Sequence, residues 1–237
     1  MPIPKIIHQV WFQVGNGSAV PPKEYDTMRK SWRDLHPDWT FMEWDLPKAR
    51  ELLIQHYPRY LEMFDNYKRT IHKIDAIRFF ALHHWGGFYV DTDTEAKQTI
   101  DDLRNHKVVL CLNAYTKKLI HNNHFMGSEQ GSAFFAECIR RLPAGALLQS
   151  SKDSYLAVMG CVGPFYLTGL AVTYPKKKEL YVLPYHEEQE YFTHYEKHSW
   201  KMTRSILGDI GRIGLVVGGV VSGIVIVNEA KKASGRK

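Results

Sequence analysis

The sequence has few cysteines and lacks the short motifs that mark several large enzyme classes. Its 237 residues contain three cysteines, Cys111, Cys138 and Cys161, and no CxxC pair. This odd and widely spaced set argues against a disulfide framework and a zinc ribbon, and it predicts free, buried thiols. The motifs G-x-S-x-G, G-x-G-x-x-G and the P-loop do not occur, which removes the usual signals of α/β-hydrolases, dinucleotide-binding enzymes and phosphate-loop ATPases.

The chain also lacks a dominant charge of one sign. Lys and Arg number 31 against 25 Asp and Glu, so the net charge is +6. This mild basic excess can favour phosphates, nucleotides or anionic lipid head groups. It does not by itself indicate nucleic acid, and we expect no nucleic-acid partner. Because 44% of the residues are hydrophobic and 24% charged, we expect one main globular domain.

Long apolar runs are scarce. The first residues show no signal-peptide pattern, because Pro2, Pro4 and Lys5 interrupt any apolar stretch. Residues 213–227 form an uncharged run of 15, mostly Val, Ile and Gly, with glycines at the four-residue spacing of close-packed membrane helices. A helix of this length reaches about 22 Å, which is less than the roughly 30 Å of a bilayer core.

The basic residues that follow this run favour a membrane-associated tail at 206–237. Such a tail could cross the membrane once. The alternative is a buried, glycine-rich helix or strand of the main domain. If the tail does not insert, we expect the domain in the cytoplasm.

Strand and helix patterns alternate through residues 1–205, which predicts an α/β domain. Runs of β-branched and aromatic residues predict strands at 3–12, 39–44, 88–90, 108–112 and 180–183. Apolar residues three and four apart predict helices at 24–35, 47–56, 59–65, 71–85 and 132–141. The pair Gly86-Gly87 predicts the end of the helix at 71–85.

The segment Asp91-Thr92-Asp93 directly follows the buried strand at 88–90. Alternate side chains of an extended segment point the same way, so both carboxylates can face one site. Carboxylate oxygens favour hard cations such as Mg²⁺ or Mn²⁺, which keep coordination positions open for substrate phosphates. The DxD pattern is weak evidence alone, and its context makes it informative.

Asp75 and Arg78 lie three residues apart on the helix that precedes this strand, and they share a face. Because that helix leads through Gly86-Gly87 to Asp91 and Asp93, one short unit can present an acid, a base and a metal site together. The alternative for Asp75 and Arg78 is a surface ion pair of little energetic value.

Two histidine pairs are also present. His194 and His198 would share one side of a helix and could chelate a metal, but Tyr195 stands where a zincin needs Glu. A zinc hydrolase is therefore disfavoured. His121 and His124 lie in a polar stretch, for which a solvated loop is the expected structure.

The segments IPKIIHQVWF at 3–12, IDAIRF at 74–79 and WGGFYVDTD at 85–93 resemble glycosyltransferase family 32, the DXD sugar-binding glycosyltransferases. This family includes initiating and inositol phosphoceramide mannosyltransferases and is distantly related to glucosylating toxins. The order and spacing of the segments match, and the resemblance covers residues 1 to about 200. It implies a Rossmann-like, nucleotide-sugar-binding domain of the GT-A type.

The resemblance also implies roles for individual residues near the donor. Val10 and Trp11 would line the nucleotide base. Asp75 and Arg78 would hold the ribose, the sugar and the diphosphate of a UDP- or GDP-sugar.

Further roles follow for the metal and the leaving group. Asp91 and Asp93 would hold Mn²⁺ or Mg²⁺ together with the sugar nucleotide, and His198 would complete the metal shell. Ser199 and Trp200 would contact and cover the leaving diphosphate. With Arg78, the two aspartates are the expected catalytic residues.

These observations together predict a metal-dependent glycosyltransferase. It would move a hexose such as mannose, glucose or galactose to a hydroxyl of a lipid or glycan, and the family resemblance implies retention of anomeric configuration. Two alternatives stay open. A metal-dependent hydrolase would bind metal without nucleotide affinity, and a non-catalytic carbohydrate- or membrane-binding protein would bind without turning over a donor.

Overall fold

A computed structural model describes residues 1–13, 17–18, 20–112, 120–149 and 155–195. Its strands are β1 (Ile6–Val10), β2 (Thr40–Trp44), β3 (Gly87–Val90), β4 (Thr94–Ala96), β5 (Val108–Leu112), β6 (His121–Ser128), β7 (Leu180–Leu183) and β8 (Phe192–His194). Its α-helices are α1 (Asp26–Leu35), α2 (Leu46–His56), α3 (Leu61–Asp65), α4 (Thr70–Trp85), α5 (Ala133–Ala146), α6 (Tyr155–Cys161), α7 (Pro164–Thr173) and α8 (Tyr185–Tyr191). The predicted alternation of strands and helices is confirmed.

Six of these strands form one sheet in the order β2-β1-β3-β6-β5-β7. β1 runs parallel to β2 and β3, and β7 runs parallel to β5. β6 is antiparallel to both of its neighbours, β3 and β5. β4 and β8 form a separate antiparallel pair. The sheet is thus parallel except at β6.

Both faces of the central sheet are buried. On β3, Phe88 and Val90 pack into a cluster with Trp32 of α1, whereas Tyr89 packs on the opposite side with Phe79 of α4. This alternation follows from the strand period of two, and a nearly continuous apolar strand is what a sheet covered on both sides requires. Burial on both faces fixes the position of β3, which leads directly into Asp91.

The Gly86-Gly87 pair makes the turn between α4 and β3. The backbone φ angles of Gly86 and Gly87 are +66° and +94°, which residues other than glycine rarely adopt. A Cβ on Gly87 would lie 2.6 Å from the carbonyl oxygen of Ile6, and one on Gly86 would lie 2.7 Å from the backbone nitrogen of Gln130. The predicted helix end is confirmed, and the turn lets β3 approach β1 closely.

We therefore expect Gly87→Ala to destabilise the fold by at least about 2 kcal/mol, because backbone strain and the clash with Ile6 add together. Gly169→Ala in α7 is the matched control, since a Cβ there meets nothing within 4 Å. It should be neutral or slightly stabilising. Urea unfolding of both variants measures the effect, and equal stabilities would contradict this account of the turn.

His8 connects β1 to β2 and to the start of β3. The indole N–H of Trp44 donates to Nδ1 of His8 over 3.1 Å, so Nδ1 carries no proton. Nε2 then donates to the carbonyl oxygen of Gly86 over 2.7 Å. Burial lowers the pKa of His8 to about 4, which agrees with this neutral tautomer.

This histidine should make the protein less stable in mild acid. At pH 5 an unfolded histidine binds a proton, whereas folded His8 stays neutral, so the free energy of unfolding falls as the pH drops below about 6.5. We expect His8 to account for a loss of about 2 kcal/mol between pH 7 and pH 5. Urea unfolding at the two pH values tests this. His8→Gln should reduce the pH dependence and the exposed His186→Gln should not; an unchanged dependence in His8→Gln would refute the assignment.

Several elements differ from the sequence-based expectations. α5 was expected to end at residue 141 but continues to Ala146 with Pro143 inside it. A proline this close to the end of a helix removes one hydrogen bond of the last turn, which the packing of α5 against the core tolerates. The sequence patterns did not indicate β4, β6, β8, α6, α7 or α8.

No helix in the described ranges is long and apolar enough to cross a membrane. The uncharged run at 213–227, and the whole segment 206–237, lie outside the described residues.

Candidate active site

The parallel strands β1 and β3 end at the same edge of the sheet. His8 pairs with Tyr89, so Val10 and Asp91, each two residues further on, leave the sheet side by side. The backbone N–H of Asp91 donates to the carbonyl oxygen of His124 on β6 over 2.8 Å. In α/β sheets, ligands bind beyond the carboxyl ends of parallel strands. The edge at which β1 and β3 end is such a place.

Asp91, Asp93 and His194 converge at this edge. Nε2 of His194 lies 3.4 Å from Oδ1 of Asp93 and 3.9 Å from Oδ2 of Asp91. Each residue offers a ligand atom within 4.8 Å of the others, and all three side chains are partly exposed. Two carboxylates and one imidazole are a donor set that suits a divalent cation such as Mn²⁺. The residues present therefore fit the metal that the DxD segment predicts.

His194 reaches the two aspartates through the β4–β8 pair. Thr94 pairs with His194 across the two strands. The backbone N–H of Tyr195 also donates to the carbonyl oxygen of Asp93 over 3.0 Å. The pairing therefore places the imidazole beside the DxD segment, although the two are about 100 residues apart in sequence.

Asp75 and Arg78 lie beneath this cluster and are only 4% and 5% exposed. Nη2 of Arg78 lies 3.2 Å from Oδ1 of Asp75 and 3.2 Å from Oδ1 of Asp91. Nη1 donates to the carbonyl oxygen of Asn123 over 2.7 Å, and the amide of Asn123 donates to Asp75 over 2.9 Å. A surface ion pair is therefore the wrong interpretation of Asp75 and Arg78.

The electrostatics of this buried group are set by burial and by the neighbouring charges. Burial raises the pKa of Asp75 to about 7, helped by the charge of Asp91 and opposed by Arg78 and Asn123. Burial works against the charge of Arg78, but Asp91 and the other acidic neighbours outweigh it and raise the pKa of Arg78. Arg78 stays protonated, and Asp75 titrates near neutral pH.

The two oxygens of Asp91 face different partners. Oδ1 accepts from the hydroxyl of Tyr89 and lies beside Arg78. The guanidinium of Arg78 also lies over the Tyr89 ring, 4.5 Å from its centroid. Oδ2 faces His194 instead. Arg78 and Tyr89 therefore orient Asp91 so that one oxygen remains directed at the Asp93–His194 side.

Val10 and Trp11 lie at the same edge of the sheet, at the end of β1. Val10 is buried, whereas Trp11 is half-buried. The Trp11 ring lies 5.6 Å from that of Tyr25. Burial raises the pKa of Tyr25, and the charge of Asp93 raises it further. An aromatic pair thus lies at the end of β1, and sequence patterns alone had not singled out Tyr25.

The histidine pairs behave differently from the sequence-based interpretation. His194 lies in strand β8 and not on a helix, so a helical pair with His198 is wrong. The expected solvated loop at His121 and His124 is also wrong: both lie in β6, and His124 is only 3% exposed. His198, Ser199 and Trp200 lie outside the described residues.

The three cysteines are free and buried, as the sequence predicts.

The chain matches the model of one protein family and several curated proteins. Residues 22–110 match the family described as "Glycosyltransferase sugar-binding region containing DXD motif". The chain is 33% identical to "Inositol phosphoceramide mannosyltransferase 3" of Schizosaccharomyces pombe, over 70% of this chain and 44% of that protein. It is 30% identical to "Inositol phosphoceramide mannosyltransferase 2" of the same yeast, over 84% of this chain and 58% of that protein.

A third relative is "Mannosyl phosphorylinositol ceramide synthase SUR1" of Saccharomyces cerevisiae, with 33% identity over 70% of this chain and 41% of that protein. The chain spans about half the length of the curated relatives it matches.

Solved structures share the fold at low sequence identity. The UDP-bound glycosyltransferase domain of the YGT toxin superposes with a TM-score of 0.56 and 9% identity, covering 86% of this chain and 83% of that one. The PaToxG glycosyltransferase gives a TM-score of 0.50 and 14% identity, covering 71% and 68%. These neighbours confirm a GT-A type fold. The matched region, the DxD segment at the sheet edge and this fold agree, and the chain is similar to glycosyltransferases whose sugar-binding region contains a DXD motif.

Proposed function

We propose that this protein is a metal-dependent mannosyltransferase that uses a nucleotide-sugar donor and a glycolipid acceptor. The observation that carries the proposal is the convergence of Asp91, Asp93 and His194 at the edge of the sheet, above the buried Asp75–Arg78 pair. The names of the relatives support mannose as the sugar and an inositol phosphoceramide as the acceptor.

Each residue at the edge has a role in this proposal. The ligands of Mn²⁺ or Mg²⁺ are Asp93, His194 and the Oδ2 atom of Asp91, and His198 completes the shell. When bound, the cation neutralises the charge that develops on the leaving diphosphate. Arg78 holds Asp91 in the orientation that metal binding needs, and Asp75 and Arg78 together hold the ribose, the sugar and the diphosphate of the donor.

The neighbouring aromatic residues would bind the rest of the donor. Val10 and Trp11 form the wall for the nucleotide base, and Tyr25 extends that wall towards Asp93. Ser199 and Trp200 follow β8 by a few residues, which is a suitable place to contact and cover the diphosphate. Closing the site in this way would exclude water and so favour transfer over hydrolysis.

We extend the proposal to retention of anomeric configuration, as the family resemblance implies. The bond between the anomeric carbon and the diphosphate oxygen breaks, and the electron pair stays on that oxygen. The acceptor hydroxyl forms the new bond on the same face and gives its proton to the departing phosphate. The anomeric configuration of the isolated product, measured by NMR, tests this step directly.

The first experiment measures donor turnover by the full chain. We would incubate it with Mn²⁺ and a panel of UDP- and GDP-sugars that includes GDP-mannose, and measure the free nucleoside diphosphate. Release from one donor, lost on chelation and restored by Mn²⁺, would support the proposal and identify the nucleotide and sugar. Binding of a donor without release, both here and with the acceptors described next, would indicate a carbohydrate-binding protein. Metal binding with no nucleotide affinity would favour the hydrolase.

The acceptor is tested with the donor found above. Inositol phosphoceramide in mixed micelles should gain one hexose by mass spectrometry, whereas ceramide without the inositol phosphate should not. Transfer to a soluble glycan instead would replace the lipid acceptor in the proposal.

We also propose that residues 206–237 bring the catalytic domain, residues 1–205, to the membrane that carries such an acceptor. The uncharged run at 213–227 and the basic residues after it support this proposal. Flotation of the full chain with vesicles that contain anionic lipid tests it. Loss of flotation after Val217→Asp and Val220→Asp would agree with insertion of the run, and unchanged flotation would exclude it.

A further inference from the structure

A second group of metal-ligating side chains lies behind the DxD cluster and supplies no ligand to the metal of the proposed transferase. Cys111 of β5, His124 of β6 and Glu188 of α8 are all buried, and each offers a ligand atom within 4.8 Å of the others. Nε2 of His124 lies 3.1 Å from Oε1 of Glu188 and 3.7 Å from Sγ of Cys111.

These separations suit a single tetrahedral ion. Zinc binds sulfur at about 2.3 Å and nitrogen or oxygen at about 2.0–2.2 Å, which places neighbouring ligand atoms roughly 3.3–3.7 Å apart. The measured distances of 3.1 and 3.7 Å lie at or close to that range. Thiolate, imidazole and carboxylate are also a mixed donor set that zinc accepts, whereas Mg²⁺ prefers oxygen ligands alone.

One polar atom of the group points to an occupant. Oε2 of Glu188 is buried without a hydrogen-bond partner among the described residues. Buried polar atoms normally have a partner, and a buried carboxylate needs a compensating charge. A divalent cation would balance the charges of one thiolate and one carboxylate.

The site also has room for a further ligand. A cavity of about 90 Å³ lies beside the group and is lined by His124, Glu188 and His194, among other residues. Three protein ligands and one water in an adjoining cavity would complete a tetrahedral shell. The cavity is large enough for such a water.

We propose that Cys111, His124 and Glu188 form a second metal site, which binds Zn²⁺ or a similar borderline cation. On binding, the thiol of Cys111 loses its proton to solvent, and its sulfur becomes a ligand. The site ties α8 to the central sheet. Because α8 leads directly into β8, and the ring of His124 stacks on that of His194 at 4.2 Å, the ion also fixes the imidazole that faces the DxD segment. This inference does not depend on the proposed transferase activity.

Cobalt tests the site on the full chain, because a Co²⁺–thiolate bond gives an intense charge-transfer band in the near ultraviolet that oxygen and nitrogen ligands do not give. After removal of metals with a chelator, we would add Co²⁺ alone and record the spectrum. The band should appear and saturate at about one equivalent. Its absence in the unsubstituted chain would overturn the proposal without any variant.

Variants then assign the band. Cys111→Ala should abolish it, and Cys138→Ala, which removes another buried thiol, should leave it unchanged. Asp93→Asn should also leave the band unchanged, so this site is separable from the one that serves the transferase. A band that survives in Cys111→Ala would overturn the assignment.

Zinc affinity provides the second measurement. Competition with a chromophoric chelator should show that Cys111→Ala and Glu188→Gln each weaken Zn²⁺ binding by about 100-fold or more, because each loses a direct ligand. Zn²⁺ should raise the melting temperature of the original chain more than that of Glu188→Gln. Equal zinc affinity in the original chain and both variants would refute the site.

Discussion

Asp93→Asn is expected to lower donor turnover by at least about 1000-fold, equivalent to roughly 4 kcal/mol of transition-state stabilisation. An amide keeps the shape of the side chain but removes the negative charge that binds a cation. Asp93 is the better of the two aspartates to change, because Asp91 also bonds to Arg78 and Tyr89 and its loss would disturb the buried group. The rate of nucleoside diphosphate release measures the effect, at an Mn²⁺ concentration that just saturates the original chain.

The control for this variant is Asp34→Asn. Asp34 is exposed on α1, and its ion pair with Lys30 one turn away contributes little energy. The donor turnover of Asp34→Asn should therefore equal that of the original chain. Raising the Mn²⁺ concentration should restore part of the activity of Asp93→Asn if the defect is in metal affinity. Turnover of Asp93→Asn at the original rate and with the original metal dependence would remove this residue from the metal site.

Arg78→Met is expected to destabilise the fold by about 3–5 kcal/mol, because it leaves the buried carboxyl group of Asp75 and the partly exposed carboxylate of Asp91 without their shared counter-charge. The methionine fills much of the space of the arginine stem. The loss in the free energy of unfolding is therefore caused more by the missing charge than by the missing volume. Urea unfolding at neutral pH measures it. The exposed Arg50→Met, which breaks a pair with Asp65, should cost less than about 1 kcal/mol.

The pH dependence of this variant identifies the cause. Without Arg78, the pKa of Asp75 should rise further above its value of about 7, so the folded state retains a proton that the unfolded state releases. Stability then falls as the pH rises from 6 to 8, and falls more steeply than in the original chain. Adding Asp75→Asn should restore part of the stability and reduce that slope. A double variant no more stable than Arg78→Met would show that the uncompensated charge on Asp75 is not the cause.

The elements that the sequence predicts well have strong local patterns. The helix at 71–85 has apolar residues at regular spacing and glycines after it, and the structure places α4 at Thr70–Trp85. The strands at 108–112 and 180–183 have the same bounds in the structure. β3 is a short apolar run, so the sequence predicts where this strand ends. The sequence therefore also predicts that the DxD segment directly follows the strand.

The elements that sequence patterns missed owe their structure to distant partners. β6 begins with the polar residues His121, Asn122, Asn123 and His124, which resemble a loop. In the fold, Asn123 bonds to Asp75 and His124 contacts Glu188, which are 48 and 64 residues away. Local periodicity carries no information about such contacts, so tertiary structure overrides the local preference.

The candidate site shows the same division. Asp91 and Asp93 were identified from the alternation of side chains, and Asp75 and Arg78 from helical spacing. The sequence did not show that Asp75 and Arg78 are buried beneath Asp91, Asp93 and His194, because that burial depends on β6 covering them. His194 was noticed for its spacing from His198, but its position next to Asp93 follows from the pairing of β4 with β8.

The β4–β8 pairing also makes the candidate site depend on a contact between distant parts of the chain. The pairing closes a loop of about 100 residues. The chain entropy lost on closing so long a loop opposes the pairing, and only the contacts that then form offset this loss. A chain folded only through β7 would already hold both aspartates and Arg78, yet it would lack the imidazole. A chain in which β8 has not paired with β4 would therefore lack one of the three side chains of the candidate metal site.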